Sequence, residues 1–238
     1  MSKKKTKKRL NFKRTLAFLL FIYIIGYFAY YLINRPIKHF EITGNNIVSE
    51  AEILRISKLK DYPSIFKYSS WTIKNNIKKI DFISDVKVTK WFGNVVKIKV
   101  TEKRPLFYYE TKDKIILNTG DIINNNNYNI YGIPVLINNT KKEILKEFIE
   151  DYDKLNDNII YEINYIEYYP KYNESGELIS DNIFKIVMSD SNTIICNTKT
   201  VNVLNKYNSI FASLNGKYGT INLDSNKLSN LVFIPYEE

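Results

Sequence analysis

The sequence predicts an α+β protein: one N-terminal transmembrane helix, a β-α-α-β-β module, then a mixed antiparallel β domain with two helices. Three observations predict it. An uncharged apolar run, Leu16–Ile33, follows a cluster of cations. A strand-helix-helix-strand-strand pattern fills the next stretch, to about residue 102. Beyond it, short alternating segments are interspersed with two long amphipathic stripes.

The first fourteen residues hold eight lysines and arginines and no acid. The eighteen apolar residues after Thr15 would make about 27 Å of helix, close to the ~30 Å of a bilayer core. Tyr23, Tyr27, Phe28, Tyr30 and Tyr31 crowd the run as interfacial anchors do, and the cations place the amino terminus in the cytoplasm. The run exceeds a signal-peptide core and no A-x-A-like cleavage site follows. The expectation is a single-pass plasma-membrane protein, with residues 1–14 a basic cytoplasmic tail, 15–34 the span and the rest extracytoplasmic.

Net charge is +10, of which the tail supplies +8, leaving +2 for all that follows. The basic surplus therefore belongs to topology and lipid headgroups, not to a nucleic-acid footprint. A single cysteine, Cys196, forms no internal disulfide, so the chain outside the span must be held by its core alone.

His39–Thr43 alternates as a half-buried strand, with Phe40 and Ile42 on its inner face. Ser49 and Glu52 form a capping box that opens a short helix burying Ile53, Leu54 and Ile56. A loop through Asp61, Pro63 and Ser64 leads to a second helix, whose stripe is Trp71, Ile73, Ile77 and Ile80. Val86 and Val88, then Val96, Ile98 and Val100, mark two strands joined at Gly93-Asn94, a hairpin signal. Three strands with two helices on one face would bury these apolar sets.

From Leu106 onward, Ile144, Leu145, Phe148, Ile149, Tyr152 and Leu155 predict one amphipathic helix. Val203, Leu204, Tyr207, Ile210, Phe211 and Leu214 predict another, capped by Thr200. Ile159–Tyr169, Ile183–Ser189, Thr193–Asn197, Thr220–Asp224 and Leu231–Tyr236 read as strands.

This order of features resembles the FtsQ/DivIB family of bacterial cell-division proteins, and the module at 35–105 looks like a POTRA domain. Phe40-Glu41-Ile42-Thr43-Gly44-Asn45, Ile83-Ser84-Asp85-Val86 and Val100-Thr101-Glu102-Lys103-Arg104-Pro105 carry the likeness, the last resembling a V-x-E-R-x-P exit. Leu117-Asn118-Thr119-Gly120, Ile133-Pro134-Val135-Leu136 and Gly219-Thr220-Ile221-Asn222-Leu223-Asp224 extend it through residues 106–238. Gly93, Lys103 and Asn118 stand where proline, arginine and aspartate are usual. The resemblance implies a non-enzymatic scaffold at the division septum, without cofactor, that holds FtsL-like and DivIC/FtsB-like membrane partners.

Chemistry has weaker footholds. Ser64-Ile65-Phe66-Lys67 fits S-x-x-K and Ser180-Asp181-Asn182 fits S-D-N, so the alternative is a membrane-anchored penicillin-binding-type enzyme using Ser64 and Lys67. The K-T-G element of such enzymes is missing from the sequence. His39 has no second His or Cys near it, and Cys196 alternates with Ile194 as a core residue would. The terminal strand is the strongest candidate site. Leu231-Val232-Phe233-Ile234 is apolar on both faces and ends at Pro235, a residue confined to strand edges and ends. An open apolar edge invites strand addition. The expected partner-binding residues are Thr220, Leu223, Leu231, Val232, Phe233, Ile234 and Tyr236, unless a neighbouring helix such as Val201–Leu214 covers the strand.

Overall fold

A computed structural model describes residues 11–91, 93–125, 128, 130–223 and 231–237, with backbone only at Thr111 and Lys112. Most of the basic tail (1–10) and the Asp224 end of the penultimate strand lie outside the described residues. Helix α1 (Phe12–Ile33) runs for 22 residues, about 33 Å. It takes in Phe12, Lys13 and Arg14 as well as the apolar run. None of its side chains is buried, and it is long and apolar enough to cross a membrane. At its end the Asn34 side chain donates to Tyr30 O at 2.8 Å, and Pro36 follows.

The chain falls into two compact units, divided between Glu102 and Lys103, with α1 in the first. In the first, β1 (His39–Thr43), α2 (Glu50–Ile56), α3 (Ser70–Ile77), β2 (Ile83–Trp91) and β3 (Val95–Glu102) follow the expected order. The sheet order is β1-β3-β2, with β3 parallel to β1 and antiparallel to β2. Ser49 and Ser69 cap the two helices, each hydroxyl accepting the amide three residues on, at 3.2 and 3.0 Å. Gly93 and Asn94 both adopt the left-handed backbone that a tight hairpin requires.

Ile53, Ile73, Ile77, Phe82, Val86, Val96, Ile98 and Val100 are buried. Trp71 departs from expectation: it starts α3 and remains 72% exposed, while Ile73, Ile77 and Ile80 fill the core. Two residues before Ile73 on a helix, it lies about 160° around the axis from that residue and faces away from the core.

Two polar devices close this unit. The Glu102 carboxylate accepts the amides of Asn46, Ile47 and Val48, each at 2.9 Å, and so ties the β1–α2 turn to the end of β3. Asp85 accepts Lys78 at 2.9 Å and Lys74 at 3.1 Å, binding α3 to β2. The Lys78 and Lys74 bonds hold the Asp85 carboxyl well below its ordinary range. Its contribution is therefore present above ordinary carboxylate pKa values and is lost only as pH falls through the depressed folded value.

The second unit holds a nine-stranded sheet in the order β14-β13-β12-β11-β8-β7-β4-β5-β6. Its strands are β4 (Pro105–Tyr109), β5 (Thr111–Leu117), β6 (Ile122–Asn124), β7 (Val135–Ile137), β8 (Ile163–Tyr168), β11 (Ile183–Met188), β12 (Thr193–Asn197), β13 (Gly219–Leu223) and β14 (Val232–Pro235). A small hairpin, β9 (Lys171–Tyr172) with β10 (Leu178–Ser180), stands apart from it. Helices α4 (Lys142–Tyr152), α5 (Asp157–Tyr161) and α6 (Tyr207–Ser213) complete the unit.

The α+β class is as expected, but the large sheet is mixed: β4–β7, β7–β8 and β12–β13 are parallel. Parallel neighbours need crossover connections, usually helical. The two amphipathic stripes are such crossovers, one between β7 and β8 and one between β12 and β13. Two elements differ in detail. Ile159 lies in α5 and the following strand begins only at Ile163, because Asn156-Asp157 starts a helical turn. The second stripe divides into a 3-10 segment, Val201–Lys206, and α6.

Phe107, Phe148, Tyr152 and Phe184 centre the core between the sheet and α4, with Phe148 and Phe184 stacked at 3.9 Å. Arg104 locks the start of the unit. It donates through Nε to Asp153 Oδ1 at 2.8 Å and through Nη2 to Asp153 O at 2.9 Å. The unusual Lys103 and Asn118 both have partners, Lys103 with Asp121 at 3.0 Å and Asn118 Oδ1 with the Arg104 amide at 3.2 Å.

Removing the Glu102 carboxylate orphans three amides. Glu102→Ala is expected to lower the stability of the first unit by about 2–3 kcal/mol. Faster amide exchange at residues 46–48, together with a lower unfolding midpoint, is the measurement.

Candidate functional site

Among the described residues β14 is the last strand of the large sheet, paired on one side only. Its partner is β13, in the register Gly219–Pro235, Thr220–Ile234, Ile221–Phe233 and Asn222–Val232. Past Pro235, the Tyr236 amide donates to Tyr218 O at 3.0 Å. Antiparallel ladders alternate, so Ile234 and Val232 also direct their main-chain groups toward β13. Leu231 and Phe233 turn theirs to the open flank, where Pro235 offers a carbonyl but no N–H. The flank is thus a short template for one more strand.

Side chains divide the expected residues in two. Leu223 is only 5% exposed and belongs to the core, so its side chain is withdrawn from any partner. Leu231 and Phe233 are half-buried and pack against that core, beneath the face that α4 and α6 cover. Val232 (52% exposed), Ile234 (59%) and Tyr236 point the other way, with half-buried Thr220. The sequence left open whether a helix covers the strand; one face is covered and the other is bare. Tyr236 is held in place by its hydroxyl, 2.7 Å from the Thr193 hydroxyl on β12.

Two residues that sequence reasoning missed place this edge. Asn192 is fully buried in the β11–β12 turn. Its Oδ1 accepts the Gly219 amide at 2.9 Å, which sets the start of β13. Its Nδ2 donates to the Tyr207 hydroxyl at 3.0 Å and to Asp190 at 3.1 Å, while that hydroxyl donates to Asp190 at 2.6 Å. Gly219 is required by close approach: a Cβ there would lie 2.2 Å from Ile234 O and 2.8 Å from the Phe233 ring. The glycine was visible in the sequence, but its reason is visible only with β14 in place. Asn192 gave no signal, since a turn asparagine is ordinary.

Burial, then Asp190, raises the Tyr207 phenol. The folded value lies above the unfolded one, so this network contributes fully below the ordinary tyrosine pKa of about 10 and weakens as pH rises beyond it.

The residues of the catalytic alternative, Ser64 and Lys67, each have another partner. The Ser64 hydroxyl donates to Ile33 O, and the Lys67 ammonium lies 5.6 Å from the centre of the Tyr68 ring. Ser180 bonds Asn182 within its own loop at 2.7 Å. Cys196 is buried, and burial pushes its thiol up, away from nucleophilic use. His39 is exposed on β1. Among the described residues no group of His, Cys, Asp and Glu could hold a metal ion.

Comparison with known proteins places this geometry. A family model described as POTRA domain, FtsQ-type, matches residues 35–103. Curated proteins named cell division protein DivIB are similar along most of the chain. The protein from Brevibacillus brevis is 22% identical over 175 residues, covering 70% of this chain and 66% of the relative. That from Bacillus anthracis is 28% identical over 176 residues, covering 70% and 64%. That from Listeria monocytogenes is 24% identical over 231 residues, covering 93% and 83%. The chain thus carries an FtsQ-type POTRA domain and is similar to DivIB cell-division proteins. It spans about two thirds of the length of the first two of these relatives. Among solved structures, the major extracytoplasmic domain of DivIB from Geobacillus stearothermophilus aligns with a TM-score of 0.37 at 17% identity, covering 48% of this chain and 96% of that one. The residues that the family model matches, 35–103, take in β1, α2, α3, β2 and β3.

Gly219→Ala is expected to push β14 off β13 at a cost of about 1–3 kcal/mol. Hydrogen exchange would then accelerate at Thr220–Leu223 while β8 and β11 keep their protection.

Proposed function

We propose that this chain is a bitopic scaffold of the bacterial division machinery and not an enzyme. Its amino terminus is cytoplasmic, its bulk is extracytoplasmic, and it recruits FtsL-like and DivIC/FtsB-like membrane proteins to the septum. In this reading the chain divides into a basic tail (1–14), a span (15–34), the POTRA domain (35–105) and a partner-binding β domain (106–238). No cofactor, nucleic acid or small-molecule substrate takes part.

One observation carries the proposal: β14 is an edge strand with an unpaired main-chain flank and a bare apolar face formed by Val232 and Ile234. Unpaired edges are ordinarily blunted by charge, bulges or cover. Along β14 such devices are its four-residue length and Pro235 at one end. A segment of the partner would add as a further strand, its main chain supplying affinity and its alternate side chains meeting Val232 and Ile234. Similarity to DivIB cell-division proteins supports the division role, and α1 supports the anchorage.

The test is co-purification of a DivIC/FtsB-type partner from membranes. Deleting residues 231–238, or the double change Val232→Lys with Ile234→Lys, is expected to abolish capture while the POTRA module keeps its amide-exchange protection. Undiminished capture by both variants would remove β14 from the interface. Fluorescent β-lactam labelling separates the enzymatic reading, which requires covalent labelling that disappears in Ser64→Ala. Protease added to intact cells with the outer face accessible is expected to digest the region beyond Asn34.

A further inference from the structure

Residues 35–102 leave four large apolar side chains exposed among those described: Tyr62, Phe66, Trp71 and Trp91. All four are aromatic, and all gather at the end of the module where α1 ends. The chain just past the helix is stitched to the two segments that carry them. The Ser64 hydroxyl donates to Ile33 O, the Ile37 amide to Pro63 O at 3.0 Å, and the Ile65 amide to Arg35 O at 3.3 Å. The loop flanked by Tyr62 and Phe66 is therefore bonded to the residues at and just beyond the end of α1. The hairpin beside Trp91 is bonded there too. Asn94 Nδ2 donates to Pro36 O at 3.0 Å, and the Lys38 amide to Asn94 O at 2.8 Å. Trp71 follows because the Lys90 ammonium reaches Ile65 O and Tyr68 O, joining the end of β2 to the turn that opens α3.

About 33 Å of α1 against a ~30 Å hydrocarbon core puts Ile33 at its boundary. Groups bonded to residues 33–38 then lie at headgroup depth. Aromatic side chains with flanking cations favour that layer. Arg35, Lys38 and Lys67 are exposed there, the Arg35 guanidinium 4.6 Å from the centre of the Tyr31 ring. Asp61 is the only acid between residues 61 and 71.

We propose that this end of the POTRA module is a second membrane contact, seated in the headgroup layer of the leaflet where α1 emerges, with Phe66, Trp71 and Trp91 inserted. The proposal rests on α1 as a membrane span. The module is thereby held at fixed height and tilt above the bilayer instead of swinging on the short link after α1.

The chain has two tryptophans, Trp71 and Trp91, so its own fluorescence reads the contact. The full chain, with Trp71→Phe and Trp91→Phe as single-tryptophan versions, would be reconstituted into phosphatidylglycerol–phosphatidylethanolamine vesicles. Flotation after a carbonate wash checks the span separately. The expected result is a blue-shifted emission in both versions, with about half of it lost to lipids spin-labelled near the headgroup and less to lipids labelled deep in the chains, as interfacial residence requires. Acrylamide quenching should fall several-fold relative to free tryptophan amide. A floating chain whose indoles stay open to acrylamide and blind to labelled lipid overturns the proposal. Indoles shielded from acrylamide but unquenched by lipid overturn it in favour of a protein contact. A chain that fails to float removes the span, and this contact with it.

Discussion

No side chain of α1 is buried, and nearly all are apolar. Water cannot accommodate such a surface, whereas lipid can, because the helix satisfies its own main-chain hydrogen bonds. This requirement orders everything after it. The chain emerges at Asn34 with four residues before Lys38, and the first strand begins at once. The loop at Pro63–Ile65 and the hairpin at Asn94 then close on that short link from two sides. The link is too short to act as a free tether, and it is hydrogen-bonded along its length.

The second unit obeys a different constraint. Its sheet contains three parallel pairs, and the helical crossovers among their connections all lie over one face. That face holds the core around Phe148 and Phe184. The opposite face is left half-apolar and uncovered by helix, with Val187 on β11, Ile195 on β12 and Val232 and Ile234 on β14 along it. Polar groups do the positioning: Asn192 sets the start of β13, Gly219 lets β14 approach, and Tyr236 anchors the far end on Thr193. The edge is therefore precise without being covered.

Much of this was legible in the sequence, for identifiable reasons. Period-two alternation at Phe40–Ile42 and Val96–Val100 and the Ser49 cap read directly, because local sequence decides them. Trp71 misled because it was grouped with Ile73, Ile77 and Ile80, although about 100° per residue sets it on the opposite helix face. The parallel pairs were hidden, since alternation is blind to strand direction and only the crossover helices hinted at it. Ile159 read as strand because an apolar pair fits either period until Asn156-Asp157 starts a turn. At the candidate site, the apolar terminal strand and its proline were visible, whereas the split of Leu223, Leu231 and Phe233 from Val232 and Ile234 needed the pleat. Asn192 was beyond reach, because its role depends on contacts 15 and 27 residues away.

Pro235 sets a limit that goes beyond the shape of the edge. β14 spans four residues, alternate ones face outward, and the last of these has no hydrogen to give. A docked segment would find only two or three main-chain bonds, too few for lasting attachment from dilute solution. Two chains confined to the same bilayer meet at much higher effective concentration, and a brief handshake then suffices. An edge this short suits a companion that is already nearby, and lets it leave again.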